Sequence, residues 1–407
     1  MNNPARIIIA GAGPVGCSAA LYLAQSDVPV SLIEACDALP EDLRASTFHS
    51  PTLDMLDDLG VVDNVIEQGI ICPIWQQRDT RDNWSVDWDL GVLRDDTRHP
   101  YRIQCEQFKL TRIILAELEK IENVEVLFNV KAISADQDDN GVTLNVDTAT
   151  GPGALKGRYL IAADGASSAI RVSQGIEFPG LTFPEIWLCV STPFRFEDHF
   201  ENLAPVAYFG ADDFWFLLLR VPGLCRVLTP SRQGQTAEDL VQEGSVQELL
   251  HRVAPIAGDF ETVHRTAYSV HQRVAKIYHL GRIFLAGDAA HLNNPLGGMG
   301  MNGGIHDGIN LSKKIVSVWR GDADERLLDR YEAERLPVAM EFVQKTTMNN
   351  KAMLEQNDAV ARNARQAELS AIVSDPKKAR EYLLVSSMIT SLENENSERS
   401  DETEIYG

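Results

Sequence analysis

The chain has 407 residues, of which 44% are hydrophobic and 24% charged, and its formal net charge is -22. This composition is typical of a folded globular protein of two or three domains and excludes disordered, collagenous and disulfide-stapled classes. So acidic a surface repels phosphate backbones and anionic lipid heads, and we therefore expect no nucleic acid and no membrane among the partners.

The cysteines indicate a reducing compartment. The chain has 6 of them, widely scattered and without CxxC or CxxH spacing, which predicts neither a zinc site nor a redox pair. No apolar run approaches the length of about 20 residues that a membrane span needs, and a strand-like segment begins within the region where a signal peptide would lie. We expect a cytoplasmic protein with no metal centre.

The first segment of the chain is typical of a βαβ unit. A buried strand over residues 6–10 is followed by a GxGxxG turn, a helix over residues 17–25 and a second strand. In this context Gly11 allows the tight turn, Gly13 lets a pyrophosphate approach the backbone, and Gly16 lets the helix pack on the strand. Glu34, at the end of the second strand, is placed to accept hydrogen bonds from a ribose. The pattern predicts a dinucleotide site without deciding which dinucleotide.

The middle of the chain changes character. Strand patterns over residues 124–130, 142–146 and 159–162 extend an α/β domain, with a helix before them over residues 108–121. From about residue 178 to residue 269 short strands rich in aromatic and β-branched residues predict a mostly β domain that covers the substrate.

The last third returns to the first domain. A buried strand over residues 282–286 leads into a glycine-rich turn and a helix that we expect to begin near Asn302, and helical periodicity then runs to about residue 392, before an acidic tail. The predicted divisions are a cofactor-binding domain in two parts, residues 1–177 and 276–340, the mostly β domain, residues 178–275, and C-terminal helices with the acidic tail, residues 341–407.

The late glycine-rich turn favours a flavin. Asp288 follows a strand and can accept from ribityl hydroxyls, while backbone amides at Gly300, Met301 and Asn302 can donate to the flavin N1/O2 edge, where negative charge develops on reduction. Such a loop by itself is often only a turn and a helix cap. Together with the amino-terminal fingerprint it favours FAD over NAD.

A third motif, Asp164-Gly165, also ends a strand, although an Asp-Gly pair can simply form a tight turn. The three motifs, in this order, resemble those of the FAD-dependent aromatic hydroxylases, the single-component flavoprotein monooxygenases similar to para-hydroxybenzoate hydroxylase. The likeness spans residues 6–342. It implies an α/β fold, with a Rossmann-like FAD-binding domain, an inserted mostly β substrate domain and C-terminal helices.

The resemblance also implies the reaction. NADH or NADPH, bound without a Rossmann domain of its own, reduces FAD, and a flavin C4a-hydroperoxide formed from O2 hydroxylates a small phenolic or heteroaromatic substrate. The cofactor performs the difficult chemistry, and the protein positions the ring, excludes water and assists phenol deprotonation.

By the same resemblance, Glu34 binds the adenosine ribose, Asp164 serves both FAD and nicotinamide, and Arg44 meets the FAD phosphates. Arg44 is otherwise a surface cation, and Gln107, which resembles the start of the family's Qxx(L) helix, is otherwise a helix cap. The FAD-binding residues so predicted are Gly11, Gly13, Pro14, Val15, Gly16, Glu34, Arg44, Thr47, Gln107, Val130, Asp164, Asp288, Gly298, Gly300, Met301 and Asn302.

The catalytic half of the site is less specified. The resemblance places Pro295 near the reactive flavin edge, and we add Tyr208, His271 and His49 as candidates. A histidine titrating near neutral pH can relay a phenolic proton, but most histidines in a sheet are structural, and aromatic residues on strands normally fill a core. Alternation along the strand puts His271 on the face opposite to Gln272.

Two alternatives stay open. One is hydroxylation of a prenylated aromatic, as in ubiquinone-pathway members of the superfamily; the acidic surface weighs against it. The other is a non-catalytic binding protein on an FAD-type scaffold; the retained glycines, Asp164 and Asp288 weigh against that. Halogenation is disfavoured because no WxWxIP segment is present. The substrate, the choice of NADH or NADPH, and whether the protein is a homodimer are not decided by the sequence.

Overall fold

The computed structural model describes residues 6–41 and 45–392. Within them the strands are β1 (Ile7–Ala10), β2 (Val30–Ile33), β3 (Thr47–Phe48), β4 (Ile70–Cys72), β5 (Ile74–Asp79), β6 (Trp84–Asp89), β7 (Arg102–Gln104), β8 (Val124–Leu127), β9 (Val130–Asp138), β10 (Gly141–Thr148), β11 (Gly151–Gly157), β12 (Tyr159–Ala162), β13 (Gly180–Thr192), β14 (Val206–Gly210), β15 (Trp215–Val221), β16 (Leu224–Pro230), β17 (His264–Val274), β18 (His279–Leu280), β19 (Ile283–Leu285) and β20 (His291–Leu292). The helices are α1 (Pro14–Gln25), α2 (Ser50–Asp58), α3 (Val62–Glu67), α4 (Gln107–Leu118), α5 (Ala169–Ser173), α6 (Ala237–Leu240), α7 (Glu243–Val253), α8 (Met299–Arg320), α9 (Asp329–Pro337), α10 (Gln344–Leu354), α11 (Ala359–Val373) and α12 (Pro376–Ser386).

The first sheet has six strands in the order β18-β19-β12-β1-β2-β8, and all of its pairs are parallel except β18 with β19. Every residue of β1, β2, β12 and β19 is buried, as strands of a parallel sheet covered on both faces require. The predicted fold class, α/β with an inserted mostly β domain and C-terminal helices, is confirmed.

Parallel pairing gathers the sequence motifs at one edge of this sheet. Because β1, β2, β12 and β19 run in the same direction, the residues that follow them meet at their carboxyl ends. These residues are Gly11, Glu34, Asp164 and Gly287. A connection of more than one hundred residues separates β12 from β19, yet Leu160 pairs with Ile283.

The largest sheet has eight strands in the order β20-β17-β13-β16-β15-β14-β5-β6. It includes β5 and β6, which come from the range that the sequence assigned to the first part of the cofactor domain, and β14 pairs with β5 in parallel, Tyr208 opposite Gln77. The boundaries drawn from the sequence stay a prediction. Alternation along β6, buried at Val86 and Trp88, was the available signal for a strand with one face covered.

Helices cover both faces of the eight-stranded sheet. On one face Trp187 and Tyr208 pack in a cluster with Leu369 of α11 and Leu383 of α12. On the other face Leu188 belongs to a cluster with residues of α7. Neighbouring strand residues therefore serve different cores, which is the two-residue period of a sheet. None of the helices in the described ranges combines the length and hydrophobicity of a membrane span.

Helix α8 begins at Met299, three residues before the predicted start, because Gly298 takes the left-handed conformation, φ 67°, that ends the preceding loop. The helix lies against α1 through two glycines. A Cβ on Gly304 would stand 2.7 Å from Val15 Cγ2 and 2.9 Å from Gly287 Cα, and one on Gly308 3.1 Å from the Val15 carbonyl oxygen. The early and late motifs of the sequence therefore pack directly on each other.

This close approach makes Gly304→Ala destabilising. Accommodating the methyl group requires a shift of the Gly287 backbone, and we expect a loss of about 1–3 kcal/mol, the usual cost of overpacking. The matched control is Gly244→Ala in α7, where a Cβ meets no atom within 4 Å; its stability should equal or exceed that of the wild type. Thermal unfolding midpoints of the three proteins check this, and equal midpoints for Gly304→Ala and wild type would contradict it.

Candidate active site

The turn after β1 contains glycines with two different functions. A Cβ on Gly11, whose φ is +101°, would stand 2.3 Å from the Ala163 carbonyl oxygen, and one on Gly16 would stand 1.9 Å from the Gly11 carbonyl oxygen. A Cβ on Gly13 meets nothing within 4 Å. The protein's own backbone thus requires Gly11 and Gly16, whereas Gly13 borders open space at the amino end of α1, where a pyrophosphate fits.

Glu34 joins the two loops at this edge of the sheet. Its Oε2 accepts from the Ala12 amide at 3.0 Å and its Oε1 from the Cys36 amide at 3.0 Å. The Val130 amide donates to the Glu34 carbonyl oxygen at 2.9 Å, which places Val130 beside it. Each carboxylate oxygen has a second lone pair, so the carboxylate can still accept from ribose hydroxyls.

Asp164 carries an unsatisfied oxygen. Its Oδ2 accepts from the Ile170 amide at 3.3 Å, while its Oδ1 is buried with no hydrogen-bond partner among the described residues. Burial raises the pKa of this carboxyl above its ordinary value. Buried carboxylate oxygens are normally hydrogen-bonded, so this atom fits a ligand that supplies a donor. Asp288 lies in the turn after β19, and its side chain is exposed.

The start of α8 is tied to β3 by one amide side chain. Asn302 donates to the Thr47 carbonyl oxygen at 2.8 Å and to the Gly298 carbonyl oxygen at 2.6 Å, and it accepts from the His49 amide at 3.0 Å. The side chain of Asn302 is therefore committed to the protein. The donors available to a flavin edge at this helix terminus are the backbone amides of its first turn, at Met299, Gly300 and Met301.

His49 is a buried neutral donor. Its Nε2 lies 2.7 Å from the Gly297 carbonyl oxygen, and since a carbonyl only accepts, Nε2 carries the hydrogen. Burial, followed by the charge of Arg102, holds the pKa of His49 well below its ordinary value. Its Nδ1 is buried without a partner among the described residues. His49 thus positions the Gly297 loop, and Nδ1 is the one ring atom left to accept a proton.

Tyr208 supports the same loop from the large sheet. The Gly297 amide donates to the Tyr208 Oη at 3.1 Å, which leaves the hydroxyl hydrogen free to donate elsewhere. Burial is the main cause that raises the pKa of Tyr208, so the phenol stays protonated at neutral pH. The ring of Trp75 contacts Tyr208 edge-on, with ring centres 5.7 Å apart. Trp88 stacks on the other ring of this pair, Trp75, with ring centres 5.5 Å apart.

Two adjoining cavities meet at Tyr208. The inner cavity, about 30 Å³, lies between Gly297, Arg102, Trp75 and Tyr382. The outer cavity, about 420 Å³, opens from there between β5 and β14 and the helices α10 and α11. Met353, an adaptable side chain, borders both. A volume of this size, at the loop expected to meet the flavin, suits a small ring.

The loop that carries Pro295 is held by Gln272. The Asn294 amide donates to the Gln272 Oε1 at 2.9 Å, and the Gln272 Nε2 donates to Thr347 Oγ1 at 2.8 Å. His271 lies on the opposite face of β17, with Nδ1 2.9 Å from Thr182 Oγ1, and it lines neither cavity. The structure therefore brings Pro295, Tyr208 and His49 together and leaves His271 apart from them. Successive side chains of β17 point to opposite faces, and this alternation was the sequence signal that could have placed Gln272 on the face opposite to His271.

A buried carboxylate that the sequence did not single out fixes the late motif. Asp307 of α8 accepts from the Gly287 amide at 3.2 Å, from His291 Nε2 at 3.0 Å and from Arg335 Nε at 2.7 Å. Burial alone would raise the pKa of Asp307, but Arg335 and then His291 lower it below its ordinary value. A single carboxylate within a helix has no motif around it, so only the fold reveals it.

The remaining predicted residues are placed as follows. Arg44 lies outside the described residues, as does the acidic tail. Gln107 begins α4, and its amide donates to the Ala45 carbonyl oxygen at 3.0 Å. The Thr47 hydroxyl pairs with the Gln104 side chain at 3.1 Å. Pro14 and Val15 open α1 beside the open space at Gly13.

Comparison with known proteins gives a consistent result. Residues 5–346 match the family model described as an FAD binding domain. A para-nitrophenol 4-monooxygenase from a Pseudomonas species is 30% identical over 381 residues, which cover 93% of this chain and 94% of the relative. A 6-hydroxy-3-succinoylpyridine 3-monooxygenase from Pseudomonas putida is 29% identical over 400 residues, covering 94% and 98%.

Solved structures agree. The crystal structure of a p-nitrophenol 4-monooxygenase from Pseudomonas putida superimposes with a TM-score of 0.89 at 29% identity, covering 94% of this chain and 98% of that one. A ternary complex of aklavinone-11 hydroxylase with FAD and aklavinone gives a TM-score of 0.76 at 26% identity, covering 86% and 69%.

The glycine geometry predicts opposite effects for two substitutions. Gly13→Ala should fold and unfold like the wild type, because its Cβ meets no protein atom, yet lose roughly tenfold or more in FAD affinity as the methyl group occupies the pyrophosphate's space. Gly16→Ala should lose stability itself, since its Cβ collides with the Gly11 carbonyl oxygen. FAD titration of the apoprotein and unfolding midpoints check both. An unchanged FAD affinity in Gly13→Ala would count against this assignment.

Asp307 predicts a pH-dependent contribution to stability. Its pKa is lower folded than unfolded, so the stability it contributes is complete above the ordinary carboxyl pKa and is lost as pH falls through the lowered value. Asp307→Asn should cost about 3–5 kcal/mol at neutral pH, because it removes the buried negative charge that faces Arg335. Unfolding midpoints against pH should converge on acidification for this variant and the wild type. Exposed Asp139→Asn is the control and should run parallel to the wild type.

Proposed function

Because this chain belongs to the FAD-binding-domain family of FAD-dependent aromatic monooxygenases, we propose that it hydroxylates a small phenol or hydroxylated heteroaromatic ring bound beside Tyr208 and Gly297. The observation that carries the proposal is the pair of cavities at this loop, with a donor hydroxyl from Tyr208 and aromatic walls. The relatives named for para-nitrophenol and for a hydroxypyridine act on rings of this size.

FAD fits the residues gathered at the sheet edge. We assign its pyrophosphate to the open space at Gly13, its adenosine ribose to Glu34, a hydrogen-bond donor to the unsatisfied oxygen of Asp164, and its ribityl chain to Asp288. When bound and reduced by NADH or NADPH, FAD supplies the activation of O2 for transfer to the ring.

The chain's own side chains then orient the ring. Tyr208, kept protonated by burial, can donate to the ring hydroxyl, and Trp75 and Tyr382 exclude water around it. His49 keeps the Gly297 carbonyl in place through its Nε2–H, and its buried Nδ1 has no partner among the described residues. We assign to His49 the role of positioning the loop that carries Pro295.

The outer cavity argues for a small substrate rather than a prenylated one. Its walls include Arg78, Asp79 and Arg362, and Arg362 pairs with Asp82 at 2.9 Å. An isoprenoid chain would have to desolvate these charged groups without pairing them, which is unfavourable. O2 as co-substrate, a homodimer and a cytoplasmic location belong to the proposal as expectations from the sequence.

The test follows oxygen into the product. FAD-loaded protein is mixed with NADH or NADPH and isotopically labelled O2, across a panel of phenols, hydroxybenzoates and hydroxypyridines. We expect at least one compound to accelerate oxidation of the reductant and to emerge carrying one labelled oxygen atom. Gly13→Ala, assayed at an FAD concentration that saturates only the wild type, should lose both signals together. Peroxide as the sole oxygen product for every compound would refute the proposal.

A further inference from the structure

Arg102 is a buried cation without an anionic partner. Its side chain on β7 is 2% exposed, its Nη2 donates to the Ser386 carbonyl oxygen at 3.3 Å, and its Nε is buried with no hydrogen-bond partner among the described residues. The guanidinium carbon lies 4.9 Å from the ring centre of Trp75. No carboxylate of the described residues forms an ion pair with it. A buried charge is normally paired, because desolvation otherwise costs several kcal/mol.

The groups around Arg102 that could become anions stay neutral. The groups whose negative charge would act on Arg102 are Tyr208, Cys72 and Tyr382. Burial is the main cause that raises the pKa of each, for Cys72 to about 11 and for Tyr382 to about 12. Burial lowers the pKa of Arg102, but a guanidinium remains protonated in proteins. At neutral pH the described residues therefore provide no negative charge to Arg102.

Arg102 borders the inner cavity, where a ligand can contact its charge. Arg102 lines the inner cavity together with Gly297, Tyr208 and Tyr382, and within residues 6–41 and 45–392 it is the only charged side chain that does so. Among the polar groups that line this space, the Arg102 guanidinium can only donate, and the Tyr208 hydroxyl, which accepts from the Gly297 amide, still has its own hydrogen to donate. Such a cavity favours an anionic oxygen over a neutral one, and it adjoins the loop that we expect at the flavin ring.

We propose that Arg102 binds an anionic oxygen of the substrate and thereby makes the enzyme select acidic phenols over neutral ones. The inference rests on the proposed function, because it takes the two cavities as the substrate site. The oxygen comes from one of two sources, the ionised ring hydroxyl itself or an acidic substituent on the ring. A guanidinium with free N–H groups forms charge-assisted hydrogen bonds with either.

The approach to Arg102 is consistent with an anionic ligand. On a chain with a net charge of -22, the outer cavity is bordered by Arg78, Arg81, Arg362 and Arg365 and by one acidic residue, Asp79. Arg81 pairs with Asp79 and Arg362 with Asp82, so the positive charges at this border partly offset the acidic surface.

The first experiment uses the FAD-loaded wild type and matched ligands, with binding followed by the change in flavin absorbance. Para-hydroxybenzoate is compared with para-hydroxybenzamide, which has the same shape without the charge. Para-nitrophenol is titrated at pH values below and above its own phenolic pKa. An acidic substituent as the source predicts that the benzoate binds about tenfold tighter or more; the ring hydroxyl as the source predicts that para-nitrophenol tightens on ionising. No preference for charge in either comparison overturns the inference.

The second experiment changes the residue. Arg102→Gln should raise the dissociation constant of the preferred anionic ligand by roughly tenfold to a hundredfold and that of the neutral ligand by less than about threefold. Arg102→Lys should recover part of the preference. The control is Arg326→Gln, which removes an exposed guanidinium, 87% accessible, and should behave as the wild type. Equal weakening of charged and neutral ligands in Arg102→Gln would show a purely structural role and overturn the inference.

The two proposals fail in distinguishable ways. If the wild type binds none of the phenols and transfers no oxygen, the proposed function itself is wrong. If it hydroxylates a phenol but shows no preference for charge, or if Arg102→Gln keeps the preference, only the assignment of Arg102 is wrong. Should Arg102→Gln not retain FAD, Arg102→Lys replaces it in the comparison: a weakened preference for the charged ligand supports the assignment, and an unchanged preference overturns it.

Discussion

The buried carboxylate of Asp307 connects the parts of the molecule on which the site depends. It accepts from the turn after β19, from His291 at the start of β20 and from Arg335 of α9. Since β20 pairs with β17 of the eight-stranded sheet, one side chain links the cofactor edge of the first sheet to the second sheet and to the C-terminal helices. Removing this carboxylate would remove the buried negative charge that faces Arg335, which is costly in the interior of a protein.

The loop of residues 293–298 is restrained by hydrogen bonds from several elements of the fold. Gln272 binds it from β17, Tyr208 from β14 and His49 from the segment after β3, while Asn302 fixes the start of α8 behind it. These partners come from elements far apart in the chain. A loop restrained in this way can keep a cofactor ring and a substrate ring in one relative position, which is the main contribution that a protein makes to cofactor chemistry.

The C-terminal helices complete the substrate side. Helices α11 and α12 pack on the face of the large sheet that carries Tyr208, and α10 borders both cavities through Met353. Arg102, which lines the inner cavity, is thereby buried. In such a low-dielectric space an unpaired cation interacts strongly with an anionic ligand, and for the same reason it is costly when left alone.

The sequence by itself determined the cofactor half of the protein. The glycines, Glu34, Asp164 and Asp288 stand at strand ends, where their spacing predicts a dinucleotide site in an α/β fold and favours FAD. The class of reaction came from the resemblance of these motifs to a known family. The family model and the relatives confirm these predictions.

Only the tertiary structure decided the substrate half. Period-two alternation separates His271 from Gln272 but does not tell which face meets the loop, and the inclusion of β5 in the large sheet brings Gln77 and Tyr208 together across more than one hundred residues. Arg102 and Asp307 carry no motif. Their importance lies in what surrounds them. Arg102 has no counterion among the described residues, whereas Asp307 accepts from three buried groups, and burial is a property of the assembled fold.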